Sequence, residues 1–321
     1  MKPSLIIHNQ ALEWGSRTYV MGIINVTPDS FSGDGLLSPS PTTQPHPKFG
    51  RRLEGEGLTA ALAQARRFAT AGADILDVGG ESTRPGAEPV DADEEMERVL
   101  PVIHSLVNQL PDTLISIDTY KASVAEAALE AGAHIVNDVW GLRADPGLAA
   151  VVERYSAPVI LMHNRSNPKT AEVRDRLGGR YIGVEYDDLL EDIKRELLES
   201  VEIAQKAGIP PEHIILDPGI GFGKTVAQNL ELLNRLGEIR ALGYPIILGP
   251  SRKSFIGYTL DLPPEQRLEG TVATVAVGIA RGADIIRVHD VEAMARVAKM
   301  TDAIVRRDAV PEAQRSGKRE T

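Results

Sequence analysis

The chain has no cysteine. Disulfides, thiolate-bound zinc and iron–sulfur clusters are therefore excluded, and the composition suits a reducing, cytoplasmic setting. Aromatic residues make up only 4% of the sequence against 42% hydrophobic residues overall. Aliphatic side chains must fill the core, and platforms for stacking sugars are scarce. Positive charge is in deficit, with 35 Lys and Arg against 45 Asp and Glu and a formal net charge of -10. This argues against a nucleic-acid surface, which wants a broad basic footprint. It leaves room for a small anionic ligand, which needs only a few local cations. No apolar run approaches the roughly 18 residues of a membrane helix. The opening "MKPSLIIHNQALEWG" holds too short an apolar stretch for a signal peptide, so the sequons "NVT" and "NRS" read as incidental.

Several catalytic signatures are also missing. There is no HExxH, and the seven histidines are scattered. His8, His104 and His134 read as structural or solvated; His289 is the functional candidate, with His163 second to it. "GIGFGKT" resembles a phosphate-binding loop, but Pro218 stands where its first glycine is needed. "GPSRK" lacks the second glycine of a nucleophile elbow. Paired carboxylates are present, as in glycoside hydrolysis, but they occur among many cations and few aromatics.

What is present is alternation. A motif recurs three times, as "AGADILDVG" (71–79), "AGAHIVNDV" (131–139) and "RGADIIRVHDV" (281–291). Each follows a helical pattern. The glycine reads as the residue just past a helix end, free to take positive φ and feed the next strand. Apolar runs at 19–25, 113–119, 158–163, 213–219 and 245–251 extend the series to eight strands. Strands buried on both faces read as continuous apolar runs, which implies a parallel sheet. Eight βα units in a chain of 321 residues predict an α/β fold, a single (β/α)8 TIM barrel. An open doubly wound sheet is the alternative. "SLIIHN" and "LEWGS" suggest a short N-terminal hairpin at the barrel floor. The expected organisation is one domain over 1–321 with a core at 17–308. Residues 36–57, rich in Pro, Ser and Thr, read as a mobile loop insertion, and 309–321 as a frayed tail.

Barrel enzymes carry their chemistry at the C-terminal ends of the strands. Those ends are Asn25, Asp77, Asp118, Asn137 with Asp138, His163, Asp217, Ser251 to Lys253, and Arg287 with His289. Capping of the βα loops accounts for part of this set. It does not account for "SIDT", "IVND" and "IILDP", where a polar group directly follows buried aliphatics and needs a partner. Asp118, Asn137 and Asp217 are acceptors suited to a flat heterocycle with amino and ring N–H groups. Arg84, Arg252, Lys253, Arg287 and His289 suit phosphate or carboxylate oxygens. Asn25 and the aspartates after it offer the oxygen ligands that Mg2+ prefers.

These blocks resemble the dihydropteroate synthase family, the folate-pathway enzymes that sulfonamides inhibit. The resemblance runs in order from about Tyr19 to Val291 through "GIINVTPDSFS", "GADILDVGGESTRPGA", "SIDTYK", "IVNDV", "LDPGIGFGK", "SRKSFIG" and "RVHDV". It implies a transferase that condenses 6-hydroxymethyl-7,8-dihydropterin pyrophosphate with p-aminobenzoate, giving 7,8-dihydropteroate and pyrophosphate. It implies Asp118, Asn137, Asp217 and Lys253 at the pterin, and Arg287, His289 and Asn25 at the pyrophosphate, with Asn25 also the Mg2+ ligand. Thr83, Arg84, Pro85, Phe222 and Ser254 are implied at p-aminobenzoate, and Asp34 near the attacking amine. Asp34, Lys253 and Asp118 are the implied catalytic set. A homodimer without nucleic-acid or membrane partners is also implied. Two places depart from the family pattern. Gly33 separates "SFS" from Asp34, and Asn164 and Ser166 stand where Met and Gly are usual. A folate-dependent methyltransferase would share the acceptors but would not need "ESTRPGA" or "SRKSF". A non-catalytic or altered-function paralogue with a pterin-like pocket is the second alternative, and the Gly33 insertion is its support.

Overall fold

A computed structural model of the chain describes residues 4–27, 55–82, 89–174, 176–182 and 184–306. The chain opens with an antiparallel hairpin, β1 (Ser4–Ile7) and β2 (Gln10–Glu13), in which Leu5 faces Leu12. The barrel then runs as β3 (Tyr19–Asn25), α1 (Glu56–Thr70), β4 (Ile75–Gly79), α2 (Ala92–Gln109), β5 (Leu114–Asp118), α3 (Ala122–Glu130), β6 (Ile135–Asp138), α4 (Leu148–Arg154) and β7 (Val159–Met162). A second hairpin, β8 (Ala171–Arg174) and β9 (Gly178–Tyr181), follows β7 and has no counterpart in the sequence reading. The chain continues through α5 (Leu189–Lys206), β10 (Ile214–Asp217), α6 (Val226–Asn234), α7 (Leu236–Arg240), β11 (Ile247–Leu248), α8 (Ser254–Leu260), α9 (Leu268–Ala280), β12 (Ile285–Val288) and α10 (Val291–Val305).

The eight barrel strands are those the sequence predicts. They pair in parallel in the order β10, β7, β6, β5, β4, β3, β12, β11. A parallel bridge between Leu216 and Ile246 joins β10 to β11, with Leu216 N donating to Pro245 O at 2.9 Å, and closes the ring. The repeated Gly-Ala motif does what its position requires. Gly72, Gly132 and Gly282 take φ of +98°, +100° and +105°, a region that costs glycine nothing.

The apolar side chains divide into two clusters. One lies between strands and helices and includes Ile24, Val78, Ile117, Val136, Leu161, Leu216, Leu248 and Val288. The other fills the lower half of the barrel, with one residue from every strand: Met21, Ile75, Leu114, Ile135, Ile160, Ile215, Ile247 and Ile285. Leu5, Ile7, Leu12 and Trp14 of the hairpin segment belong to this inner cluster and plug the N-terminal end. Trp14 meets Tyr19 edge-on at 5.7 Å, and the Tyr19 hydroxyl accepts from Glu13 N at 2.7 Å. Because strand side chains alternate between faces, the next inward positions above this dry layer are fixed. They lead to the open end of the barrel, and they are polar.

The 36–57 segment up to residue 54 and the 309–321 tail lie outside the described residues. Among the described residues no helix is long and apolar enough to cross a membrane.

Candidate active site

Directly above the apolar layer stands Asp77 of β4, completely buried. Its Oδ2 accepts from Arg287 Nε of β12 at 2.6 Å and from Asn137 Nδ2 of β6 at 3.0 Å. Arg287 Nη2 reaches across to Asp118 Oδ2 of β5 at 2.5 Å. A single guanidinium thus spans two carboxylates. Burial by itself would lower its pKa, but Asp77 and Asp118 reverse this and raise it. Asp118 and Asn137 are register partners on neighbouring strands, so their side chains enter the mouth side by side.

Asp77 Oδ1 and Ser116 Oγ are buried with no hydrogen-bond partner among the described residues. The two residues are register partners on β4 and β5. A buried acceptor of this kind is expected to meet a donor, and an N–H-bearing ligand is a fitting one. Burial lifts the Asp118 carboxyl to about 7, against the pull of Arg287 and helped by Asp77, Glu95 and Asp138. Asp217, at the end of β10, is likewise raised by burial, while the Gly219 N–H at 2.7 Å and the nearby Lys253 oppose this. Asp118 and Asp217 thus both stand above the ordinary carboxylate value, and the neighbouring cations oppose the shift.

Those cations occupy different places. Lys253, the cap of α8, carries its Nζ 3.8 Å from the centre of the Phe222 ring. Ser254 follows as the first residue of α8 and is partly exposed. Arg252 is paired through two hydrogen bonds with Asp290, at 2.9 and 2.6 Å. His289 lies just beyond β12, where its backbone N and ring Nδ1 lie 3.1 and 3.0 Å from Ser251 Oγ. Asn25 ends β3 opposite Gly79 and is partly buried at the same rim.

The structure thus brings Asp118, Asn137 and Arg287 into one network and sets Phe222 against Lys253. Asp34, Thr83, Arg84 and Pro85 lie outside the described residues. Arg287 stands deeper than a rim cation, inside the carboxylate network and a residue layer below His289. Asp138 is a capping residue. It accepts from Trp140 N at 2.8 Å and Leu142 N at 2.5 Å, and burial lifts it to about 6 despite these bonds. Asn164 likewise turns the chain after β7, with Nδ2 donating to Val139 O at 3.0 Å and Oδ1 accepting from Ser166 N at 2.8 Å. The string "GIGFGKT" resolves into a turn and a capping box, Thr225 with Gln228, at the start of α6.

Two features escaped the sequence reading. Asp77 was noted only as a strand end, yet it anchors the network. Its signal was there: in "ILDVG" it is the inward position two residues after Ile75. The second is a buried polar chain behind the mouth, in which Lys224 Nζ lies 2.9 Å from His163 Nδ1 and His163 Nε2 lies 3.1 Å from Glu196 Oε2.

A closed (β/α)8 barrel with an apolar floor and an acidic, cation-bridged mouth defines a class: an α/β barrel with its polar acceptors gathered at the C-terminal face. Residues 45–289 match the family described as "Pterin binding enzyme". The chain is 48% identical to the dihydropteroate synthase of Bacillus subtilis over 307 residues, 95% of each chain. The crystal structure of a Clostridium difficile dihydropteroate synthase in the presence of pteroic acid is 49% identical. It superposes with a TM-score of 0.78 over 92% of this chain and 99% of that one. A Xanthomonas albilineans dihydropteroate synthase with 4-aminobenzoic acid is 39% identical, with a TM-score of 0.80 over 97% and 100%. The chain belongs to the pterin-binding enzyme family and, within it, to the dihydropteroate synthases.

Proposed function

We propose that the chain condenses 6-hydroxymethyl-7,8-dihydropterin pyrophosphate with p-aminobenzoate, releasing pyrophosphate and forming 7,8-dihydropteroate. The observation that carries this is the Asp77–Arg287–Asp118 bridge with Asn137 beside it. It presents acceptors to an aminopyrimidine edge at the base of the mouth. The pteroic acid and 4-aminobenzoic acid of the two related crystal structures support the same ligand pair.

In this reading Asp118, Asn137, Asp217 and Lys253 hold the pterin. His289 and Asn25 face the pyrophosphate, with Arg287 beneath them bridging Asp77 and Asp118, and Phe222 and Ser254 face the p-aminobenzoate, together with Thr83, Arg84 and Pro85. The reaction breaks the bond between the pterin methylene carbon and the pyrophosphate oxygen, and the bonding pair leaves with the pyrophosphate. The aniline nitrogen then bonds to that carbon and loses one proton, for which Asp34 is the assigned neighbour. No covalent enzyme intermediate is needed. Positive charge developing on the pterin is favoured by the Asp118 and Asp217 carboxylates, which are fixed in place before the reaction begins. Such preorganisation is often the largest single catalytic contribution.

Mg2+ fits the donor chemistry at the rim. Asn25 offers one hard amide oxygen there, and this ion is commonly held by one or two protein oxygens together with substrate phosphates. When bound, it would neutralise charge on the departing pyrophosphate. We also assign a homodimer and a cytoplasmic setting, supported by the family relationship and the absence of cysteine.

The test is pyrophosphate release from the dihydropterin substrate and Mg2+, with and without p-aminobenzoate. Release that requires p-aminobenzoate and is matched by dihydropteroate is the expected result. Tight pterin binding without product would refute the assignment and favour a binding paralogue.

A further inference from the structure

Lys224 is a buried cation without a part in the reaction just described. It is 2% exposed. Its Nζ donates to Gly219 O and Phe222 O, both at 3.0 Å, and lies 2.9 Å from His163 Nδ1. An ammonium has three N–H groups and no acceptor site, so these three partners satisfy it completely. With Lys224 charged, His163 accepts through Nδ1 and carries its own proton on Nε2, which lies 3.1 Å from Glu196 Oε2 without hydrogen-bonding alignment. Burial and the neighbouring ammonium push the His163 pKa down to about 3, so the ring is neutral. Glu196 is in turn held by Arg165, whose Nε lies 2.8 Å away. A polar chain therefore runs from α5 into the turn after β10.

That turn has little freedom of its own. Gly219, Gly221 and Gly223 take φ of +69°, +81° and +58°. A methyl group on Gly219 would lie 1.9 Å from His163 O, and one on Gly223 would lie 2.2 Å from the Arg165 carbonyl carbon. The turn is wedged against the exit of β7, with two carbonyls directed inward. Without Lys224, Gly219 O keeps only the bond it accepts from Phe222 N at 3.0 Å, and Phe222 O loses its tie to the buried ammonium. On its other side the same turn meets the mouth. Asp217 accepts from Gly219 N at 2.7 Å, Asn229 Oδ1 accepts from Gly221 N at 2.6 Å, and the Phe222 ring lies beneath Lys253 Nζ.

We propose that Lys224 is a positioning residue for the p-aminobenzoate side of the site: by clamping the inward carbonyls of Gly219 and Phe222 it sets the Phe222 ring. A methionine would fill the same volume, but it would not tie the turn. Burial lowers the Lys224 pKa to about 7, and Asp217 and Glu196 oppose this shift. Such a buried cation is held at a cost that simple packing does not demand.

This rests on the synthase reading, and the experiment separates the two. Wild-type turnover is measured first; failure to form dihydropteroate would remove the reading and this inference together. With normal wild-type turnover, Lys224→Met is compared for the KM of p-aminobenzoate and for the Kd of the dihydropterin substrate alone. The expected result is a rise of about tenfold or more in the KM for p-aminobenzoate, with the Kd for pterin within about threefold. An unchanged KM in a folded variant would overturn the proposal. An equal rise in both constants would also do so, because it would mean general loosening. Should Lys224→Met not fold, His163→Gln displaces only the third partner of the ammonium. A rise of about threefold in the same KM is then expected, and no change would refute the clamp.

Discussion

Replacing Asp118 by Asn separates the cost of this carboxylate to the fold from its use to a ligand. Burial raises the Asp118 pKa from 3.8 to about 7. An acid raised in this way binds its proton more tightly folded than unfolded. Stability therefore falls as pH climbs from the ordinary carboxylate value through the folded one, and the loss is complete above about 7. The gap of about three units corresponds to roughly 4 kcal/mol, at about 1.36 kcal/mol per unit. Asparagine is close in shape to the protonated acid and does not titrate in this range. The two proteins should have similar melting temperatures at about pH 4.5 and diverge as pH rises, the variant becoming the more stable. With an unfolding entropy of about 2.1 cal/mol/K per residue, the divergence at pH 8.5 is about 3–6 °C. Pterin affinity should move the other way, falling by roughly 10- to 100-fold, because a charge-assisted hydrogen bond is worth about 1.5–3 kcal/mol. Scanning calorimetry across this pH range, with pterin titrations at its upper end, checks both arms. A melting difference that stays flat with pH, or that favours the wild type as pH rises, would refute the reasoning.

Lys253→Ala removes the ammonium over Phe222 and should lower kcat/KM by about 100-fold or more; the melting temperature should drop by no more than about 3 °C, since such a contact is worth about 0.5–2 kcal/mol. Near-normal turnover would sink the role given to Lys253. At the opposite end of the barrel, Asp302 accepts from Thr18 N at 2.7 Å and Thr18 Oγ1 at 2.8 Å, and pairs with Arg306 Nε at 2.9 Å. Asp302→Ala should cost about 3 kcal/mol in urea denaturation and leave kcat within about twofold; a large loss of turnover at full stability would count against the separation of floor and mouth.

The barrel was legible because its signals are local. Each strand is a short aliphatic run, and three helix ends carry a Gly-Ala pair whose glycine takes positive φ. The residues at the strand ends were legible for the same reason. What links them was not. Arg287 bonds to partners 210 and 169 residues away, and no spacing rule reaches across such distances. A cation near the end of the last strand therefore reads as a rim group for phosphate, whereas closure of the barrel carries it in among the carboxylates. Asp77 was obscured in another way. It sits inside an apolar run, and only the two-residue alternation of an inward face marks it as part of the mouth. Lys224 was obscured by a familiar pattern, since "GFGKT" invites comparison with a phosphate loop. In the fold the lysine turns inward and binds the carbonyls of its own turn.

The mouth holds carboxyl groups whose burial the protein does not fully offset. Asp77 leaves one oxygen unpartnered among the described residues, and Asp118 and Asp217 are both raised by burial. Arg287 and Lys253 offset this only in part. Such a site is costly when empty and improves when a ligand brings N–H donors or developing positive charge. That requirement explains the vertical order inside the barrel. The apolar layer and the hairpin plug below must supply the stability that the mouth gives up, and the one residue that each strand gives to that layer is Met, Ile or Leu.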